Sequence, residues 1–175
     1  SGVSAVNWLD LDDVESPNDD LRHRARAKGA SLIARGEGIH MAQGEAYICS
    51  TSGGAARLGQ ILRLHLSDTG EQDRLELFFE SVSTRQFNFG DNLTVAPNGH
   101  LVVCEDQYTE KVDNFLRGIT PEGHAYPLAR LRLQTELAGA CFSPDGTTLF
   151  VNVYAPTKTL AITGPWDQFI HTVNA

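Results

Sequence analysis

The sequence predicts an all-β fold, about three four-stranded β-propeller-like blades preceded by one short helix. Short apolar runs recur from Ala30 onward, separated by Gly, Pro, Asn and Asp, which is the pattern of strands joined by turns. Asn92-Leu93-Thr94-Val95-Ala96-Pro97-Asn98-Gly99 and its following strand line up with Gly139-Ala140-Cys141-Phe142-Ser143-Pro144-Asp145-Gly146 and its own. A weaker copy runs from Gly38 to Ile48 through Gln43-Gly44. Pro97 and Pro144 are 47 residues apart, and Gln43 and Pro97 are 54 apart. A period of ~40–50 residues with four short strands per unit marks propeller blades. Three blades do not close a ring, so the expectation is the C-terminal part of a larger protein, or two chains that complete a ring together.

Taken in order, residues 1–29 form a lead-in and helix. Trp8 to Val14 is acidic and extended. Ser16-Pro17-Asn18-Asp19-Asp20 reads as a helix start, with Ser16 capping and Pro17 at the first helical position. Arg22, Arg24, Arg26 and Lys28 lie toward the helix C-terminus, where they complement its dipole, and Gly29 stops it. This basic run faces either solvent or an anion. Residues 30–175 form the partial propeller, with strands expected at Ser31–Arg35, Ile39–Ala42, Ala46–Ser50, Gln60–Leu66 and Leu75–Glu80. The next are Leu93–Ala96, Leu101–Cys104, Phe115–Thr120 and Ala125–Leu131, and the last Gly139–Ser143, Thr148–Val153 and Thr159–Thr163.

Composition narrows the function classes. Asp and Glu number 22 against 14 Lys and Arg, a net charge of −8, which argues against nucleic acid. No run approaches the ~20 apolar residues of a membrane span. The chain starts Ser1-Gly2 without Met, as a processed product or a piece of a longer chain does. Cys49, Cys104 and Cys141 lack CxxC spacing and lie in apolar runs, so all three are expected to be buried, inert thiols. No GxSxG elbow, Walker loop, HExxH or dinucleotide fingerprint is present. Thr51-Ser52-Gly53-Gly54 is Gly-rich but leads into no strand–helix unit, and reads as a loop.

Candidate chemistry gathers at strand ends. Pairing through Pro97-Asn98-Gly99 brings Asp91 and Asn92 near Glu105 and Asp106. Oxygen ligands at that density suit a hard cation such as calcium, and they also suit a plain solvated strand end. Arg35 and Glu37, two positions apart between Gly36 and Gly38, point to one face if they lie on a strand. That spacing serves a phosphate-gripping Arg beside a metal-binding Glu, or a surface ion pair. Arg117, inside an apolar strand, requires a carboxylate or a bound anion. Glu136 and Asn152 are expected at strand ends, where a central channel could receive them.

In this order the motifs are specific. Ala34-Arg35-Gly36-Glu37-Gly38, Ser50-Thr51-Ser52-Gly53-Gly54 and Asp91-Asn92-Leu93-Thr94-Val95-Ala96-Pro97 are followed by Cys104-Glu105-Asp106 and Leu116-Arg117-Gly118-Ile119-Thr120-Pro121. Ala138 to Gly146, Leu149-Phe150-Val151-Asn152 and Leu160 to Trp166 complete the series. Over Trp8 to Trp166 the chain resembles the C-terminal part of the PhoX-type alkaline phosphatases. The resemblance implies a β-propeller phosphomonoesterase with calcium and iron, exported to the periplasm or beyond, whose N-terminal part supplies a cysteine thiolate and further carboxylates. It implies that Arg35 contacts phosphate, that Glu37 binds metal, and that Asp91, Asn92, Glu105 and Asp106 supply further ligands or support. Arg117, Glu136 and Asn152 are additional candidates. The second expectation is a catalytically silent propeller module that binds calcium or a protein partner.

Overall fold

The computed structural model describes residues 2–106 and 114–167. Strands β2 (Gly36–Ala42), β3 (Glu45–Ser50), β4 (Gln60–His65) and β5 (Arg74–Glu80) follow one another in an antiparallel meander. A short strand β1 (Val3–Ala5) adds to the outer edge of this sheet by pairing with β5. The second sheet is β6 (Gly90–Val95), β7 (Leu101–Glu105), β8 (Asn114–Ile119) and β9 (Ala125–Leu131). The third is β10 (Leu137–Phe142), β11 (Thr148–Val153) and β12 (Lys158–Thr163). These are the three expected blades, with five, four and three strands among the described residues rather than four each. Residues 107–113 and 168–175 of the expected partial propeller lie outside the described residues.

The middle blade explains the apolar run Leu101-Val102-Val103-Cys104. Successive strand side chains point to opposite faces, and here both faces are covered. Leu101 and Val103 enter a core with Cys49, Ile61, Phe79, Phe87, Leu93 and Ile119 against the first blade. Val102 and Cys104 enter another with Leu116, Leu137, Leu149, Val151 and Trp166 against the third. The third sheet is covered on one face only: Leu149, Val151 and Val153 are buried, while Cys141, Phe150 and Ala161, aligned across it, lie on the open face. Cys141 is therefore exposed, against the expectation of three buried thiols. Burial pushes the thiols of Cys49 and Cys104 up, the latter to about 12, as inert core cysteines.

The repeat holds in atomic detail. Gly99 and Gly146 take φ +84° and +71°, and their N–H groups donate to Ala96 O and Ser143 O in matching turns. The first blade turns instead through Gln43 and Gly44, both at positive φ, a two-residue hairpin that explains the weaker repeat there.

Two local expectations need correction. The helix α1 spans Leu21–Ala27 with Asp20 at its N-cap, so Pro17 lies before it rather than at its first position. Ser16 does act at this start, its Oγ accepting from the N–H groups of Asp20 and Leu21, each at 3.0 Å. Arg24 and Lys28 bind the carbonyls of Asp12, Asp13 and Asp10, so part of the basic run folds back on the acidic lead-in. Residues 31–35 form no strand, since Ala34 and Arg35 make a turn with Arg35 at φ +50°. The lead-in is tied to the first blade by Trp8 Nε1, which donates to Asp73 Oδ2 at 2.7 Å, and by the Val6 N–H, which donates to the Asp73 carbonyl at 2.8 Å.

Leu101→Ala, which opens a void between two packed sheets, is expected to lower stability by about 2–5 kcal/mol in denaturant unfolding. In the isolated chain Phe150→Ala on the open face costs clearly less, and equal losses would contradict the one-sided burial of the third sheet.

Candidate functional site

The inner strands β2, β6 and β10 lie side by side, and each carries an irregularity near its start. The pairing register shifts between Gly36 and Ile39 in β2, between Gly90 and Leu93 in β6, and between Ala138 and Cys141 in β10. Bulges of this kind re-aim side chains at strand ends. They contain Glu37, Asp91 and Asn92, and Gly139 and Ala140. Two contacts knit them together. A Cβ at Gly38 would lie 2.4 Å from the Asp91 carbonyl oxygen and 2.8 Å from Asn92 Cα, so only glycine permits the β2–β6 approach. Asn92 Oδ1 accepts the Ala140 N–H at 2.8 Å, which ties β6 to β10.

Three carboxylates meet on this rim. Asp91 shares hydrogen bonds with Glu37 and Glu136, the latter on the residue just before β10. Burial, with those two neighbours, pushes the Asp91 carboxyl up to about 8. A proton thus sits where three acidic groups converge. Arg35 Nη2 lies 2.8 Å from Glu37 Oε1 and 3.2 Å from Asp106 Oδ2, and its side chain is 49% exposed. Burial works against its charge, but Asp106 and Glu37 more than offset this and hold the guanidinium above its ordinary value. Asp106 Oδ1 is buried with no hydrogen-bond partner among the described residues.

The remaining candidates are placed apart from this cluster. Glu105 is fully buried, with Oε1 2.7 Å from Arg117 Nε and accepting the Asn88 N–H, while Oε2 accepts the Phe115 N–H. Burial lifts its carboxyl to about 7 against the pull of Arg117 and those two donors. Arg117, 3% exposed, also stacks over Phe115 at 4.0 Å. This is a structural ion pair beneath the rim, the carboxylate-partner reading of Arg117. Asn152 lies one strand out on β11, exposed, accepting from Thr159 Oγ1 at 2.8 Å.

Carboxylate oxygens and an unpartnered Asp106 oxygen are the donor chemistry of a hard cation such as calcium. Among the described residues no group of three or more His, Cys, Asp or Glu encloses a metal-sized point. Glu37, Asp91 and Glu136 meet pairwise at Asp91 instead. The set shares only its donor type with a calcium shell and offers no thiolate toward iron, since Cys49 and Cys104 are buried and Cys141 lies at the far end of β10 from Glu136.

Arg117→Met strands the Glu105 carboxylate in the core and is expected to cost about 3–5 kcal/mol in denaturant unfolding. An unchanged midpoint would show the pair to be dispensable. Asp91 holds its proton in the folded chain up to about pH 8 but loses it near pH 4 when unfolded, so the folded state binds more protons in between. Stability of the metal-free chain therefore falls as pH rises through that window, and Glu105 contributes with the same sign. Thermal midpoints across this range should decline, less steeply in Asp91→Asn; a rising profile contradicts the assignment.

Comparison with known proteins gives the family and the fold. The family model described as "Alkaline phosphatase PhoX" matches residues 2–157. No curated protein matches. Among solved structures the chain is similar to Pseudomonas fluorescens PhoX in complex with vanadate, a transition state analogue, at 21% identity and a TM-score of 0.60. That match covers 77% of this chain and 32% of the Pseudomonas chain, and it shows a shared propeller fold. With its family model spanning most of its length, the chain belongs to the PhoX alkaline phosphatase family.

Proposed function

We propose that this chain forms the phosphate- and metal-facing rim of a metal-dependent phosphomonoesterase. The observation that carries this is the meeting of Glu37, Asp91 and Glu136 beside the exposed Arg35. Carboxylates that meet at Asp91 repel one another unless a proton or a cation intervenes, and the upward push on the Asp91 carboxyl supports a proton in that place when no metal is bound.

In this reading Glu37 and Asp91 would hold calcium together with Glu136, and Asn92 ties β6, which carries Asp91, to β10, which Glu136 precedes. Calcium held there would supply positive charge toward the phosphoryl oxygens. Arg35 turns its N–H groups from Glu37 and Asp106 toward the phosphoryl group and stabilises the charge that develops there. Asp106 orients Arg35 from behind. Glu105 and Arg117 brace the strand ends beneath. An iron centre draws on donors outside this chain, in keeping with a match that covers 32% of the Pseudomonas protein. Export to the periplasm or the medium is proposed from the family alone. No helix among the described residues is long and apolar enough to cross a membrane.

The open face of the third sheet supports a covering partner, the remaining blades of a longer protein. A second copy of this chain would serve the same end. Light scattering separates them, because a monomer favours the longer protein and a dimer favours the second copy.

The parent protein should hydrolyse p-nitrophenyl phosphate in the presence of calcium and iron. Arg35→Ala is expected to lower kcat/KM by on the order of 10²–10³. Inactivity with both metals present, or full activity of the Ala variant, overturns the phosphatase reading. Calcium without iron in the purified parent, with no hydrolysis, favours a silent calcium-binding module instead.

A further inference from the structure

We propose that Thr51 is the positioning residue that sets the distance between Arg35 in the first blade and Asp91 in the second. This rests on the reading of the rim as a phosphate site. Thr51 lies just past β3, at the end of the blade that carries the rim, and is fully buried. It makes two hydrogen bonds that run to opposite halves of the site. Its N–H donates to the Arg35 carbonyl at 2.9 Å. Its hydroxyl donates to the Gly90 carbonyl, also at 2.9 Å.

Each end of this link acts on a functional residue. Arg35 sits at φ +50°, a left-handed conformation that a non-glycine residue adopts only when its surroundings hold it. Thr51 holds the carbonyl of that residue itself. The neighbouring Ala34 carbonyl accepts from Ser50 Oγ at 3.0 Å and from the Ser52 N–H at 3.4 Å. At the other end, Gly90 precedes Asp91 in the β6 bulge, and the adjoining Phe89 carbonyl accepts the Asp106 N–H at 2.8 Å. The Phe89-Gly90 peptides therefore carry Asp91 by covalent continuity and Asp106 by a hydrogen bond. The Thr51 hydroxyl fastens the arginine turn to those peptides. With that hydroxyl gone the Gly90 carbonyl is left buried without its donor, and the arginine turn loses its tie to the peptide that precedes Asp91. Small displacements of a phosphate-gripping group carry a large loss of affinity.

The test compares Thr51→Val, which keeps shape and loses the donor, with Thr51→Ser, which keeps the donor. The probe is inorganic phosphate, titrated calorimetrically into the 175-residue chain with calcium present, alongside the Arg35 Nε–H signal in nitrogen-15 spectra. Thr51→Val should weaken phosphate binding on the order of tenfold and collapse the Arg35 signal, with Thr51→Ser within about threefold of wild type. Val151→Ala, a destabilised core control in the third blade, should bind phosphate as wild type does. If Thr51→Val does not fold, Thr51→Ala against Thr51→Ser isolates the same hydroxyl. Wild-type affinity with an intact Arg35 signal in the hydroxyl-free variant overturns the proposal, and so does an equal loss in the Ser variant. Should wild type and Arg35→Ala bind phosphate equally or not at all, the phosphate reading fails. The Arg35 signal alone then decides the role of Thr51.

Discussion

The backbone contact between β2 and β6 is the constraint on which the site depends. It exists because residue 38 has no side chain, so the Asp91 carbonyl and the Asn92 Cα come as close as a Cβ would otherwise stand. That approach places Glu37 against Asp91 and leaves two acids sharing a hydrogen bond, with Glu136 adding a third from the next blade. Charge repulsion in a half-buried setting must be relieved, by a proton in the metal-free chain or by a cation. The same packing therefore makes the fold and sets up the chemistry.

Rigidity beneath the rim comes from the middle blade. β7 is buried along its whole length, with its apolar side chains divided between the two cores. Its last residue, Glu105, engages Arg117 of β8 and two backbone N–H groups. A buried ion pair of this kind is weak as a source of net stability, because desolvation offsets most of its attraction. Its geometric effect is firmer: it fixes the end of β7, and Asp106 follows directly.

Much of the architecture was legible in the sequence for simple reasons. Alternating or continuous apolar runs bounded by Pro-Asn-Gly and Pro-Asp-Gly turns report strand position directly, and the twofold repeat of that pattern reports blades. Eleven of the twelve strands among the described residues follow from such signals. β1 was missed because its three residues are exposed and carry no pattern. Residues 31–35 looked like a strand by apolar content, yet Arg35 takes a left-handed backbone, which composition does not reveal. At the site, the carboxylates and Arg35 were legible as residue types near strand ends. The bulges that turn them together were not, because a register shift is a property of two strands and neither sequence alone encodes it. Glu105 illustrates the same limit: its neighbour Asp106 reaches Arg35, while Glu105 points into the core toward Arg117. Thr51 read as one residue of a Gly-rich loop, and its two bonds span 16 and 39 residues of chain.

The central proposal is that a cation binds where the three inner strands begin. Crystals of the chain soaked in calcium and vanadate, with anomalous data collected at a wavelength sensitive to each, test it most directly. The account predicts a calcium peak among the carboxylates of Glu37, Asp91 and Glu136, with vanadium within hydrogen-bond reach of Arg35. A calcium peak elsewhere with those three carboxylates still bonded to one another would contradict it.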